Sequence, residues 1–483
     1  YIPGKIPLQA WFIIITELGE RFTYYGVTLM FIPYLTKVLD QSKASASAIN
    51  RGFQFLSFLT TVIGAVVADV YLGKFKAIIL SSTFYFVGLI LLALSAINPS
   101  LEAGFGLPGF CLAIFLFMAW GAGGIKANVN TFTAEQIPLG DKPTDNPNKM
   151  ISYDLTVERV FRFFYWSVNV GSLLGPLVCP PVVKAFDYSI GFAIPCVIFI
   201  VTNFFFIMGK VFLKYKQVEL KGNPIIKVIK VLKYCLNNRN QKNNEGKEYE
   251  HWLDKAKNQF NEIDNQFIDD LKRTFNACKV FLFFSIYWAL NYNTSDSFIL
   301  MGLTMESPSW LSAEQLNLFN SITIIILIPI MDFFVFPILR KFGFKLGPIT
   351  RITIGFFICF LAFIYMTVLQ KIVYSTGPYY DFTNLNGVKD PVNQISVWYQ
   401  VPGYLLLAIS EVFSATTVLE YSYQYASPEL KSVVSSLYYL SVCISSLIGM
   451  LLAIWSYDPN YVPLFAAQTV VMGICTIVFY LMF

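Results

Sequence analysis

Charge is what this chain has least of. Only 13% of its 483 residues are Asp, Glu, Lys or Arg, and 55% are hydrophobic; soluble domains carry roughly a quarter charged residues. A soluble chain of this length would fold as two or three domains, but this balance excludes that reading and implies a chain that crosses a bilayer repeatedly. Histidine is almost missing. The single one, His251, lies in a charged loop, so no histidine proton relay is available inside the apolar segments. The eight cysteines form no CxxC pair and fall mostly in apolar runs, where they act as small packing residues, not as a disulfide or metal framework. No GxxxxGK[ST] loop is present to suggest ATP as an energy source, and no nucleophile–base pair or metal cluster suggests an enzyme. The net charge of +5 comes mostly from loops, which speaks for orientation in a membrane and not for nucleic acid. No cleavable leader is expected, because the first apolar segment is too long and carries charges. The chain starts at Tyr1 and not at Met, so polar tails are expected beyond it.

What is present is a series of apolar runs, each long enough to cross ~30 Å of hydrocarbon. Twelve spans are expected, at about 8–38, 49–70, 77–97, 109–135, 153–183, 189–213, 275–303, 312–339, 347–370, 396–425, 430–456 and 460–483. One long charged segment between Lys214 and Arg273 divides them six and six. The expected organisation is a six-helix bundle over 1–213, a linker over 214–274 and a second six-helix bundle over 275–483. The linker's excess of Lys and Arg places it in the cytoplasm by the positive-inside rule. Both termini then lie inside, with Lys74, Lys76, Lys142, Lys149, Arg340, Lys341 and Lys431, while Lys43, Lys184 and Lys389 face out. Two six-span halves suggest the repeat architecture of secondary transporters, with a midplane site between the halves. A weak echo agrees: GAVVADVYLGKFK (64–76) after span 2 and IPIMDFFVFPILRKFGFK (328–345) at span 8 each place an Asp before a basic, Gly-containing turn.

The charges inside the spans are the informative exceptions. ELGERFTYYG (17–26) sets Glu17, Glu20 and Arg21 in the first span. At 100° per residue, these three with Tyr24, Tyr25 and Thr28 share a stripe about 140° wide. An ion pair alone leaves a carboxylate over, because one arginine cannot neutralise two. An intramembrane charge costs about 2.5–3.5 kcal/mol on insertion scales and faces a cavity or a partner. Lys126, in GAGGIKANVN of span 4, lies at a similar depth and is the expected countercharge. Gly121, Ala122, Gly123 and Gly124 beside it allow another helix to approach closely. Two carboxylates and two cations balance, and protonating one carboxylate releases a cation, which is what a proton-coupled carrier requires; the bland alternative is a static four-charge cluster. Glu411 stands near the middle of span 10 with no basic neighbour in sequence. It is either held neutral in helix packing or awaits a cation such as a substrate ammonium. Glu420, nine residues on, is expected on the other side of the helix, pairing near Lys431. Tyr165, Asn169 and Ser172 form a polar stripe on span 5, and Asn320 is a lone amide in span 8; such groups bond across helices or face a solute.

Together these residues resemble a known family. ExxERFxYYG is the signature of the proton-dependent oligopeptide transporters, and the resemblance continues through GAVVADVYLGKF, GIKANV, FYWSVNVGSL and EYSYQYA…LKS, covering essentially the whole chain. The linker running into DDLKRTFNACKVFLFFSIYW is similar to the fungal branch. The resemblance implies an all-α membrane protein of the major facilitator fold that takes up di- and tripeptides with protons, with no cofactor, as a functional monomer of the plasma membrane. It assigns Glu17, Glu20, Arg21 and Lys126 to proton coupling, and Tyr25, Asn169, Asn320 and Glu411 to the peptide, with Glu411 receiving the amino terminus. By the residues alone, Tyr165 and Lys126 join that second group.

Four positions depart from the family pattern. Thr28 replaces a second arginine, Tyr292 a span-7 carboxylate, Phe58 a span-2 tyrosine and Tyr438 a span-11 tryptophan. Carboxylate recognition is thereby left to Lys126 or Arg21. Arg51, near the outer end of span 2, is read as snorkelling to the interface, with a gate as the alternative. Competing functions are a same-fold carrier of nitrate or other small anions, against which Glu411 speaks, and a non-transporting nutrient sensor signalling through its linker. In that linker HWLDKAKNQFNEI (251–263) is expected to form an amphipathic helix, at the membrane surface or between the bundles.

Overall fold

The computed structural model describes residues 2–138, 140–143, 150–216, 224–239, 251–260, 263–331, 338, 347–383, 385, 387–425 and 430–483, and within its helices leaves out some side chains, including those of Tyr165, Glu420 and Lys431. The expected placements of Tyr165, of Glu420 beside Lys431, and of Lys149, Asp332, Arg340 and Lys341 therefore fall outside the described residues.

Among the described residues, helices occupy all twelve expected spans, and eight of them are long and apolar enough to cross a membrane by length and composition. Span 1 (Leu8–Lys37) is not among the eight, because its own charges lower its hydropathy. Span 2 (Lys43–Leu72) begins earlier than its apolar run suggests. Its polar first turn is capped by Ser42, whose hydroxyl accepts from the Ser45 amide at 3.1 Å, an N-terminal signal independent of hydropathy. Spans 3 (Lys74–Ser95), 4 (Gly106–Glu135), 5 (Tyr153–Ala185) and 6 (Tyr188–Leu213) complete the first half.

The linker departs from expectation. Among its described residues, HWLDKAKNQFNEI contains only a 3-10 turn at Trp252–Ala256. The amphipathic helices lie on either side of it, a first linker helix at Pro224–Asn237 and a second at Asn265–Cys278. Alternating charge explains the turn. Lys257 and Lys272 each pair with both Asp254 and Asp269, which ties the turn to the second helix instead of extending it. The Lys257 hydrogen bond holds the Asp269 carboxyl below its ordinary range. The second linker helix runs past 274 to Cys278 and leads through Lys279 into span 7.

Span 7 is broken where continuity was expected. An α-helix at Val280–Asn291 passes into a 3-10 turn at Tyr292–Ser295, and helix resumes at Ser297–Gly302. The run NYNTSD supplies the cause: its short polar side chains bond back onto the backbone, as when Asn293 donates to the Leu290 carbonyl at 2.7 Å and Ser295 to Tyr292 at 3.1 Å. Spans 8 (Asn317–Ile330), 9 (Pro348–Ser375), 10 (Val401–Tyr425), 11 (Lys431–Leu452) and 12 (Tyr461–Met482) follow. Since span 6 ends and span 7 begins at the linker, odd-numbered spans start on the linker face and even-numbered spans on the opposite face.

Glycines set the helix approaches that position the charged motif. A Cβ on Gly175 of span 5 would lie 2.4 Å from the Phe22 carbonyl oxygen of span 1, so the two backbones touch beside Arg21. The Gly-rich turn of span 4 also admits close neighbours, but these are spans 2 and 3: Gly64 would meet the Gly124 Cα at 2.7 Å, and Gly121 the Tyr85 backbone at 2.5 Å. Replacing Gly175 with Ala must push spans 1 and 5 apart. Overpacking of this kind costs about 1–3 kcal/mol, so G175A is expected to lower the melting temperature in detergent by several degrees. An unchanged melting temperature would show that the two helices separate freely.

Candidate functional site

A cavity of about 390 Å³ lies between the two halves and is lined by Glu17, Arg21, Tyr25 and Lys126 from the first and by Trp288, Asn320 and Glu411 from the second. Asn169 and Ser172 of span 5 also line it. Its volume suits a small solute. A larger cavity of about 710 Å³ opens at the opposite face near Lys37, Lys184 and Glu306, but it contains none of the expected site residues.

Span 1 builds the charged wall. Arg21 reaches Glu17 through Nε at 3.1 Å and pairs with Glu20 through Nη2. Its guanidinium also hydrogen-bonds Tyr25 and stands 5.3 Å from the Tyr24 ring centroid. Glu17 and Arg21 face the cavity, whereas Glu20 is fully buried behind them, towards Tyr85 of span 3. The single stripe drawn from helical angles thus divides into a cavity-facing pair and a carboxylate at its back. Among the described residues, Glu17 Oε2 and Glu20 Oε1 accept no hydrogen bond, leaving one oxygen on each carboxylate open to a proton.

Lys126 comes to the same wall by a different contact. Neither carboxylate lies within ion-pair distance of its ammonium among the described residues. Its Nζ instead stands 3.8 Å from the centroid of the Tyr24 ring and 4.7 Å from that of Phe58. The countercharge balance inferred from depth is therefore not made by contact, because the aromatic rings take the ammonium on the side where a carboxylate was expected. A cation held on ring faces keeps its hydrogen-bond donors available. Phe58 also approaches Tyr292 and Tyr439 of the second half, each at 6.3 Å between centroids.

Glu411 faces the cavity from the second half, and the Asn320 side-chain amide hydrogen-bonds it. Tyr25, bonded to Arg21, lies within electrostatic reach of Glu411 and so stands between the two charged groups. The cavity also has walls that were not singled out from the sequence. Gln54, Asn291 and Asn317 contribute polar groups, and Trp288 stacks on Tyr292 at 5.6 Å. Asn317 was legible in principle, three residues before Asn320 on the same helical face.

Arg51 is the clearest correction. It is 1% exposed, and its Nε meets Asp296 Oδ2 of span 7 at 2.8 Å. Snorkelling is thereby overturned: the guanidinium turns inward to a carboxylate of the other half. Ser47 donates to the same oxygen at 2.7 Å, and Asn50 donates to the Ser295 carbonyl at 3.2 Å. Lys43 pairs with Asp458, and Lys184 donates to the carbonyls of Ser309 and Leu311 at 3.1 and 3.0 Å. These contacts join the two halves on the opposite face, so the cavity is closed on that side.

Comparison with known proteins agrees over the whole length. The model of the POT family matches residues 75–471. The probable peptide transporter ptr2 of Schizosaccharomyces pombe is 32% identical, over 99% of this chain and 78% of that protein. The peptide transporter PTR2 of Saccharomyces cerevisiae is 33% identical, over 100% of this chain and 80% of its relative. Among solved structures, an auto-inhibited POT family peptide transporter superposes with a TM-score of 0.77 at 23% identity, covering 98% of this chain and 96% of that one.

Proposed function

The chain belongs to the POT family, and from that premise we propose that it is a symporter importing di- and tripeptides with protons by alternating access. The observation that carries this reading is the pairing of unlike charges across one cavity. Lys126 and Arg21 face it from the first half and Glu411 from the second. A zwitterionic peptide spans that arrangement, with its carboxylate on Lys126 and its ammonium on Glu411. Tyr25, Asn169 and Asn320 supply polar contacts between the ends. A purely anionic substrate would find Glu411 repulsive, which disfavours the nitrate reading.

Proton coupling is assigned to the span-1 cluster. A proton taken up by Glu20 or Glu17 weakens that group's hold on Arg21, and the freed guanidinium becomes available to the substrate carboxylate. Deprotonation restores the pair and expels that carboxylate. Protons are the only coupling partner in this scheme. The linker face is assigned to the cytoplasm by its basic residues, with both termini inside and the protein in the plasma membrane. The two six-span bundles, over 1–213 and 275–483, then move about the cavity with the linker of 214–274 between them, and a single chain suffices for the cycle. The closed opposite face is on this assignment the outer one.

Proteoliposomes with an imposed inward proton gradient test the reading. Dialanine is expected to accumulate and to carry protons inward; absence of both would remove the symporter assignment. Glu411→Gln removes one charge-assisted hydrogen bond to the ammonium, worth about 1.5–3 kcal/mol. Affinity for free peptides is therefore expected to fall about 10- to 100-fold, while N-acetylated peptides are little affected. An unchanged preference between the two would take Glu411 out of amine recognition.

A further inference from the structure

The first linker helix has a surface that the transport cycle leaves unexplained. Ile225, Val228, Val231 and Cys235 pack with Leu253, Ile268 and Leu271 of the rest of the linker and with Leu430 and Val433 at the start of span 11. One side is thus fully used. Another side remains open: Ile229 is 55% exposed and Leu236 50%. Spaced seven apart, they fall within about 20° of each other around the helix. Lys233 lies between and beside them, and Lys230 flanks the strip. The segment 224–237 contains three lysines and no acidic residue.

The second linker helix is the internal comparison. Its exposed positions are Gln266, Arg273 and Asn276, all polar, as expected of a helix that buries one face and shows the other to water. The first helix differs in keeping large aliphatic side chains on its open side, flanked by charges of one sign. That pattern belongs to helices lying in a membrane interface, with the apolar strip below the headgroups and lysines level with them.

Depth agrees. The linker core also touches Val66 of span 2 and Leu437 of span 11. Val66 is six residues before Leu72, and Leu437 six after Lys431, so each lies about 9 Å in from the linker-face end of its helix. The linker core is therefore seated against the spans at the level of the interface, not suspended beyond it.

We propose that the open side of the first linker helix is a binding surface for anionic phospholipid headgroups, with Ile229 and Leu236 inserted beneath them and Lys233 contacting phosphate or carboxylate. The helix thereby anchors the linker to the leaflet while its other side holds the ends of spans 2 and 11. Net positive charge without an acidic residue selects anionic over zwitterionic lipid.

Nitroxide labels at positions 229 and 236 of the full chain, with Cys111→Ser to remove the one cysteine that is not buried, test this in vesicles of phosphatidylcholine alone and with phosphatidylserine added. Both labels are expected to be reached by oxygen and protected from a water-soluble nickel complex, with protection increasing as phosphatidylserine is added. Lys233→Gln is expected to weaken the apparent affinity for phosphatidylserine by about fivefold. Lys5→Gln with Lys142→Gln, on exposed residues outside the linker, should leave it unchanged. Nickel access at both labels equal to that of a water-exposed site would overturn the proposal. So would protection that appears only on adding soluble protein, or an equal loss in Lys233→Gln and in the Lys5→Gln/Lys142→Gln control. None of these readouts depends on peptide transport, so the symport reading can fail without affecting them.

Discussion

Glu20→Gln is expected to abolish proton-driven accumulation of peptide while leaving peptide counterflow intact. For one coupled proton, a one-unit inward pH gradient supports about tenfold accumulation; in the variant the ratio should fall to about one. The geometry makes this substitution unusually clean. Glu20 is fully buried and does not line the cavity, so the change does not touch the substrate directly. The amide has the shape of the protonated acid and fixes the cluster in the proton-loaded state. Arg21 is not stranded, because Glu17 remains 3.1 Å from its Nε. If Glu20 were only a structural partner of Arg21, removing its charge would disturb the whole wall, and counterflow would fall in parallel with accumulation. Parallel loss would therefore move proton coupling elsewhere, with Glu17 and Glu411 the remaining carboxylates on the cavity.

The residues that sequence reading placed well were those whose signal is local. The spans follow from apolar runs, and the Glu17, Arg21 and Tyr25 face follows from helical spacing, since both depend on neighbours within a few turns. Asn320 and Glu411 were conspicuous as polar groups in apolar helices, and the structure brings them into hydrogen-bond contact. What sequence missed depends on distant partners or on rotation about a helix axis. Depth correctly brought Lys126 to the level of Glu17, but depth says nothing about which side chain stands between them, and Tyr24 and Phe58 take the ammonium. Asp296 gave no signal of its own in WALNYNTSD, because its partner Arg51 is 245 positions away. The linker misled for a third reason. HWLDKAKNQFNEI has a helical pattern, yet cross-pairing of Lys257 and Lys272 with Asp254 and Asp269 favours a turn.

The Arg51–Asp296 pair is expected to have the largest effect on which side of the transporter is open. Both side chains are 2% exposed and belong to different halves, so the contact exists only while the opposite face is closed. Removing one partner from a buried pair costs about 3–5 kcal/mol, because the other charge is left without compensation. Opening that face to water relieves the cost, so Arg51→Leu should shift the equilibrium toward the open state by a factor of at least about 100. The shift is measurable with Ser295→Cys, which lines the cavity just inside the pair, by its labelling with an impermeant maleimide added from the opposite face. Labelling should rise sharply in Arg51→Leu and in Asp296→Leu, and uptake should fall. The double variant Arg51→Leu/Asp296→Leu should return toward wild-type labelling, since an apolar pair replaces a buried ion pair at little cost. Gly449 offers an independent approach from span 11: a Cβ there would stand 3.0 Å from Arg51 Cδ and Nε. Gly449→Val should therefore displace the guanidinium and raise labelling with both charges still present. If the single variants label no faster than wild type, the pair does not hold this face shut, and closure must rest on Lys43–Asp458 and the Lys184 contacts. If the single and double variants label equally fast, the lost element is packing around Arg51 and not its charge.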